Sequence, residues 1–466
     1  MKSVLIKNGR IITASDQFQG DILIQDGKIA AIGKDLKVQT DEAIDATGKY
    51  IFPGGIDAHI HMNVPCSDGS ISAGYDTDSI AAAVGGTTTI LDYVLQENGL
   101  SLEESVRHWS EKAKLSAIDY GFHLIITQAN DKTFNELNLL VEQGITSFKL
   151  FMANDIAMTD RELFRFMSEF KKLGCKACIH AENKEIILAL QEKYVTEGNI
   201  SPSYHAKSRP EPSEIEAINR AITLSELTGC PTLIAHISTT KGLKLVQNAK
   251  ARGIPIHGES CPHYLLLSED KYELEGHESA KYVLSPPLRN KENLQGLWRG
   301  VLNGSVDIIS SDHNGFSYTK HKQLGKEDFR KIPNGAPGIE HRFGLIYHYG
   351  MEKGLDLSRF VELVSTNPAK IFGLYPQKGT IAPGSDADLV LFNPEAEQVI
   401  TAKSQYQKSD YTPYEKTKLK GSVDTVLLRG EPIVHQGTFV GDLGKGNYLK
   451  RERFSTSLQK VTSAEI

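Results

Sequence analysis

Apolar and polar positions alternate at both ends of the chain but follow a longer rhythm through its middle. Near the N-terminus three strand-like runs, VLIKNGRIIT (4–13), DILIQDGKIAAIG (21–33) and AIDATGKYIF (43–52), are punctuated by Asn-Gly and Asp-Gly, the dipeptides of tight hairpin turns. The same style returns in DADLVLFNP (386–394) and VDTVLLRGEPIVHQGTFV (423–440). Two β-rich ends around a long middle predict one small β-sandwich domain built from residues 1–52 and 376–440, followed by a tail over 441–466. The tail is expected to cover a neighbouring subunit or to be partly disordered.

Between these ends, over residues 53–375, short apolar runs recur with helical stretches between them. The runs are IDAHIHM (56–62), TTILDYV (88–94), GFHLIIT (121–127), TSFKLFM (146–152), KACIH (176–180), PTLIAHI (231–237), IPIHGES (254–260) and VDIISSD (306–312). DRELFRFMSEFKKLG (160–174) and PSEIEAINRAITLSELTG (212–229) carry helical periodicity. Eight strands alternating with helices predict an α/β protein whose middle is a (β/α)8 TIM barrel.

Candidate chemistry sharpens this picture, because it falls at the ends of those runs. His59 and His61 are two apart on a strand, so both imidazoles share a face and form half of a metal site. His180 ends the fifth run, His236 lies at the end of the sixth, and Asp312 ends the eighth. In a parallel barrel these ends meet at one mouth, where barrel enzymes keep their active sites. Five separate structural roles are a weaker account than one metal centre. Lys149, which ends the fourth strand candidate inside TSFKLFM, is the odd member, since a bare ammonium would repel cations and lose its hydration. It either snorkels outward or reacts with carbon dioxide to become an anionic carbamate; the residues alone leave both open.

Composition excludes several classes. Hydrophobic residues make up 40%, charged residues 24%, and the formal charge is −6 with no massed Lys or Arg. No nucleic-acid footprint and no polybasic membrane patch follow from that. Five irregularly spaced cysteines without a secretion signal point to a reducing compartment, and no apolar run is long enough to span a bilayer, so the cytoplasm is expected. Cys175 and Cys178 have a zinc-pair spacing but lack a second pair, which favours core packing. Gly85-Gly86 precedes a strand instead of opening a helix, so it is a turn and not a phosphate cradle.

The set His59-x-His61, Lys149, His180, His236 and Asp312 resembles the two-metal sites of the amidohydrolase superfamily. FPGGIDAHIHM, GITSFKLFMA, IHAEN, LSPPLRN, SDHNGFS, PNGAPGIEHR and the closing GTFVGDLGKGNYLKR are closer still to the dihydropyrimidinase and D-hydantoinase family. That resemblance implies two divalent cations, zinc by family habit, bridged by N-carboxylated Lys149. His59, His61 and Asp312 would hold one ion, and His180 and His236 the other. It also implies Asp312 as catalytic base, backbone groups of Ser285 and Asn334 as substrate holders, a cyclic amide or imide substrate, and a homotetramer. Ring opening of a dihydropyrimidine or a 5-substituted hydantoin would give an N-carbamoyl amino acid.

Departures accompany the likeness. Asn154 stands where the family usually has a tyrosine thought to bond the substrate carbonyl. An asparagine amide can donate, but it is shorter; Tyr93 is a candidate to reach in instead. His263 and Asn314 are smaller departures. Dihydroorotase-type sites commonly place an arginine soon after His-x-His, whereas MNVPCSDG follows here, which favours an uncharged ring substituent. Met62, Val64, Pro65 and Phe151 would suit an apolar one, or simply pack. Allantoinase remains the alternative within the class, and a non-catalytic scaffold the alternative outside it.

Overall fold

A computed structural model describes residues 3–97 and 99–454. Nine strands from the two chain ends form one largely antiparallel sheet. Tyr50–Pro53, the last strand of the N-terminal part, pairs antiparallel with Leu389–Val399, the first of the C-terminal part. Val4, Ile6, Ile22, Ile24, Ile51, Leu389 and Leu427 fill a core of their own, separate from that of the barrel. The small domain is thus shared between the two ends, as the alternation predicts.

The chain enters the barrel through Pro53-Gly54, where a side chain on residue 54 would run into the Thr88 hydroxyl. The parallel strands are Gly55–His61, Thr87–Leu95, Asp119–Ile125, Ser147–Phe151, Lys176–His180, Thr232–Ile234, Ile256–Ser260 and an eighth that is split. Its first part, Ile308–Ile309, bonds to the seventh strand, and its second, His313–Asn314, bonds to the first, so the ring closes. Asp312 lies in the gap with a left-handed φ of 49°. His236 likewise falls just beyond the short sixth strand, at φ 40°. Both expected strands end earlier than their apolar runs because the backbone turns to aim these side chains.

Helices follow the same local logic. Asp160–Leu173 starts with a capping box between Thr159 and Glu162 and stops at left-handed Gly174. Its buried stripe, Leu163, Phe166, Met167 and Phe170, lies against the barrel wall. Cys178 faces the barrel interior while Cys175 joins the outer core, so the two thiols serve different cores. The described part of the tail does not leave its own barrel. Leu449 N–H donates to the Tyr120 carbonyl, Arg451 N–H to Gly144, Glu452 N–H to Gly373 and Phe454 N–H to Gly174. Residues 455–466, the rest of the tail, lie outside the described residues.

Candidate metal centre

The first barrel strand brings both His59 and His61 to the broken eighth strand. His59 Nε2 lies 3.2 Å and His61 Nε2 3.5 Å from Asp312 Oδ1. Their ligand atoms all fall within 4.8 Å of one another, a cluster able to hold a metal ion. Lys149 sits mid-strand rather than at a strand end, with Nζ 3.2 Å from His59 Nε2 and 4.5 Å from the centre of the Tyr93 ring. His180 closes the fifth strand, and its Nδ1 faces His236 Nε2 at 3.0 Å. The His59 and His236 rings stand 5.4 Å apart, so the two donor groups adjoin. Six side chains from five separate segments of the chain meet at one mouth.

Burial sets their protonation. It pushes His61 down to about 4, His236 well below the ordinary histidine value, and lowers His180 even with Glu182 beside it. Neutral imidazoles keep a lone pair for a cation. Burial alone would raise Asp312, but the facing His59, His61 and His236 hold its carboxyl well below the usual range. Lys149 is almost fully buried, which lowers its amine, the direction that favours an uncharged nucleophilic lysine. Neutral ring nitrogens, one ionised carboxylate and a desolvated amine form a donor set that fits zinc and its neighbours.

Three residues that sequence reasoning missed hold these ligands in place. Glu259 Oε1, on the seventh strand, meets His59 Nδ1 at 2.5 Å and accepts the His236 backbone N–H at 3.0 Å. A carboxylate only accepts, so Nδ1 carries the proton and Nε2 turns its lone pair toward Asp312 and Lys149. Glu182 Oε2 does the same for His180 Nε2 at 2.9 Å, leaving Nδ1 free, and is itself held by Arg209 Nη1 at 2.5 Å. Against burial, which would raise it, Arg209 holds Glu182 down to about 2. A carboxylate inside a buried strand such as IPIHGES was the available signal, since a buried charge needs a partner.

Around the mouth, the segments bearing Ser285 and Asn334 lie side by side: Gly335 N–H donates to the Val283 carbonyl at 3.0 Å. Lys322, fully buried, ties them further, donating to the carbonyls of Val283, Pro333 and Gly335 at 3.1, 2.6 and 2.6 Å. The Asn334 segment continues beside the eighth strand, where Asn314 N–H donates to the Ala336 carbonyl. Asn314 also reaches the Asp312 carbonyl at 3.3 Å, and His313 joins Asp78 at 2.7 Å while accepting the Gly338 N–H. His263 is buried with its Nε2 unpartnered among the described residues. Tyr93 does not reach into the cleft. Its ring stacks on His61 and His123, and its hydroxyl is buried beside Cys178. Met62 is fully buried in the main core, so its role is packing, whereas Phe151 is half-buried and stacks on His180 at 5.0 Å.

Glu340, in the same PNGAPGIEHR segment, accepts the N–H groups of Tyr406 and Gln407 at 2.7 and 3.0 Å. Burial, with Asp78 nearby, pushes its carboxyl from 4.5 up to about 7. The folded chain therefore keeps a proton there that the unfolded chain has released. Its stabilising contribution is complete below the unfolded value and is lost as pH rises through about 7. Glu340→Gln, neutral throughout, is expected to flatten this dependence. In thermal melts from about pH 5 to about pH 8 the native chain should lose Tm relative to the variant; parallel curves would contradict it.

Fold and site together define a (β/α)8-barrel protein with a cluster at its mouth, His59, His61 and Asp312, that is able to hold a metal ion. Residues 50–433 match the amidohydrolase family, and the chain belongs to that family. It is 44% identical over 455 residues to a D-hydantoinase of Geobacillus stearothermophilus, covering 97% of each chain. It is also 44% identical over 454 residues to a D-hydantoinase of Ralstonia pickettii, covering 97% of this chain and 99% of that one. The crystal structure of a dihydropyrimidinase from Brevibacillus agri superposes with a TM-score of 0.95 at 43% identity, covering 97% and 99% of the two chains.

Proposed function

We propose that this chain is a two-metal cyclic amide hydrolase that opens dihydropyrimidine or 5-substituted hydantoin rings to N-carbamoyl amino acids. The observation that carries the reading is the meeting of His59, His61, Asp312 and Lys149 at one mouth, in a chain similar along almost its whole length to D-hydantoinases. His59, His61 and Asp312 would hold one ion, His180 and His236 the other, and Lys149, carboxylated on Nζ, would serve both; zinc suits this donor set. When bound, two such cations lower the pKa of water and polarise the amide carbonyl.

The chain's own residues do the rest. Asp312 takes the proton of the attacking water and passes it to the ring nitrogen as the C–N bond breaks. Backbone groups of Ser285 and Asn334 hold the ring, and the Lys322 ammonium keeps their two segments in register. Phe151, lying flat on His180, offers an apolar wall for a ring substituent, with Val64 and Pro65 on the loop after His61. No helix among the described residues is long and apolar enough to cross a membrane; we take the enzyme as cytoplasmic and, by its family likeness, homotetrameric. The test is a panel of dihydrouracil, hydantoin, 5-phenylhydantoin, allantoin and dihydroorotate, run beside metal analysis. Hydrolysis of the first three is expected. Turnover confined to allantoin or dihydroorotate, or metal-free inert protein, would replace this reading.

A further inference from the structure

The left-handed turn at Asp312 lies between two anchored neighbours. On one side the Ser311 N–H donates to Asp57 Oδ1 at 3.0 Å. On the other the His313 ring is fixed at both nitrogens. Nδ1 accepts the Gly338 N–H at 3.1 Å and so bears the lone pair; Nε2 therefore gives its proton to Asp78 Oδ2 at 2.7 Å. His313 is also where the split eighth strand rejoins the first, opposite Ile60. Asp78 has no exposed surface, and among the described residues no Lys or Arg pairs with it. Burying such a charge costs free energy, offset in part by its place in the first turn of the helix Tyr75–Val84. Its Oδ1 accepts the Lys408 N–H at 2.8 Å, from the small-domain loop between Leu389–Val399 and Lys418–Leu428, and the Thr77 hydroxyl at 3.2 Å. Gly315 leaves room for this carboxylate, since a Cβ there would fall 2.6 Å from Asp78 Oδ2. A helix start, a small-domain loop and a glycine thus converge on an acid whose one side-chain partner outside its own helix, among the described residues, is His313.

We propose that Asp78 is a positioning residue for the metal centre: through His313 it holds the turn that aims Asp312 at His59 and His61. The inference rests on the two-metal reading above. Asp78→Asn keeps the size but makes one end of the group a donor. Turned toward Lys408, that end opposes a backbone N–H. Turned toward His313, it drives the ring proton onto Nδ1, against the Gly338 N–H. Either way one brace beside Asp312 fails. Competitive titration of the apo chain with zinc should show affinity lowered about 10-fold, and kcat should fall by a similar factor with KM changed less. Because Asp78 acts through His313, the double variant Asp78→Asn/His313→Gln should bind zinc no worse than His313→Gln alone; losses that add would overturn the proposal. Asp410→Asn is the control for mere loosening. It weakens the hold of the same small-domain loop on Tyr318 and Thr319 without touching His313, and should lower Tm with zinc affinity unchanged. An equal loss of affinity in Asp410→Asn and Asp78→Asn would reduce Asp78 to a scaffold residue. Should Asp78→Asn not fold, His313→Gln alone decides, and native zinc affinity there overturns the proposal. A native chain that binds no zinc means that the two-metal reading has failed; native binding equalled by Asp78→Asn sinks the positioning role alone.

Discussion

Lys149→Ala is expected to lose bound metal and turnover together, by more than the roughly 100-fold that outer partners of metal ligands contribute. The reason lies in where the lysine stands. Its Nζ is 3.2 Å from His59 Nε2, over the face of Tyr93, and almost out of contact with water. Burial lowers the amine, and an ammonium there would repel the cations that the neutral histidines and Asp312 are arranged to attract. Addition of the free amine to carbon dioxide, with loss of one proton, turns the same side chain into a carboxylate-like anion and removes the conflict. Metal analysis of the variant decides the first half, and growth on isotope-labelled bicarbonate with NMR detection of a lysine carbamate in the native chain decides the second. Full metal occupancy in Lys149→Ala would mean that the other five side chains suffice and that the lysine serves only the barrel wall.

Much of this site is legible before any coordinates, because barrel topology converts strand ends into neighbours. His59, His61 and His180 sit on or at the ends of runs whose apolar residues mark them as strands. Other parts are hidden for physical reasons. The eighth run reads as a continuous strand, yet its backbone breaks so that Asp312 can turn into the mouth, and a left-handed φ of 49° in an aspartate leaves no trace in composition. Lys149 reads as a strand end but lies mid-strand, which is why it is enclosed rather than free to snorkel. Arg209 belongs to a segment between helices, 55 residues from Asn154, and only tertiary packing brings the two together. The tail is opaque for a related reason. Its backbone N–H groups bond to turns and strands from separate parts of its own barrel, a match of shapes that no local pattern encodes.

Glu259→Gln carries the second large expected loss, although Glu259 touches neither substrate nor metal. In the native chain its Oε1 takes the Nδ1 proton of His59 at 2.5 Å and the His236 backbone N–H at 3.0 Å, and its Oε2 takes the Ser310 hydroxyl at 3.4 Å. The carboxylate can accept all three; an amide cannot. Whichever way the new amide is turned in Glu259→Gln, one of its two ends is a donor. If the NH2 faces His59, it demands the Nδ1 lone pair and moves the ring proton to Nε2, where it points at Asp312 and Lys149 in place of the lone pair a cation needs. If the oxygen faces His59, the NH2 meets the Ser310 hydroxyl, which can rotate to accept, and the tautomer survives with a weaker, uncharged bond. The expected loss of metal affinity and turnover therefore falls between about 10-fold and about 100-fold, with the fold intact by circular dichroism. Glu259→Ala should lose at least as much and gain instability from the unpaired His236 N–H. The pair of variants is decided by metal titration: unchanged affinity in both would mean that His59 holds its tautomer without Glu259, and that the strand carboxylate is there only to pair the backbone.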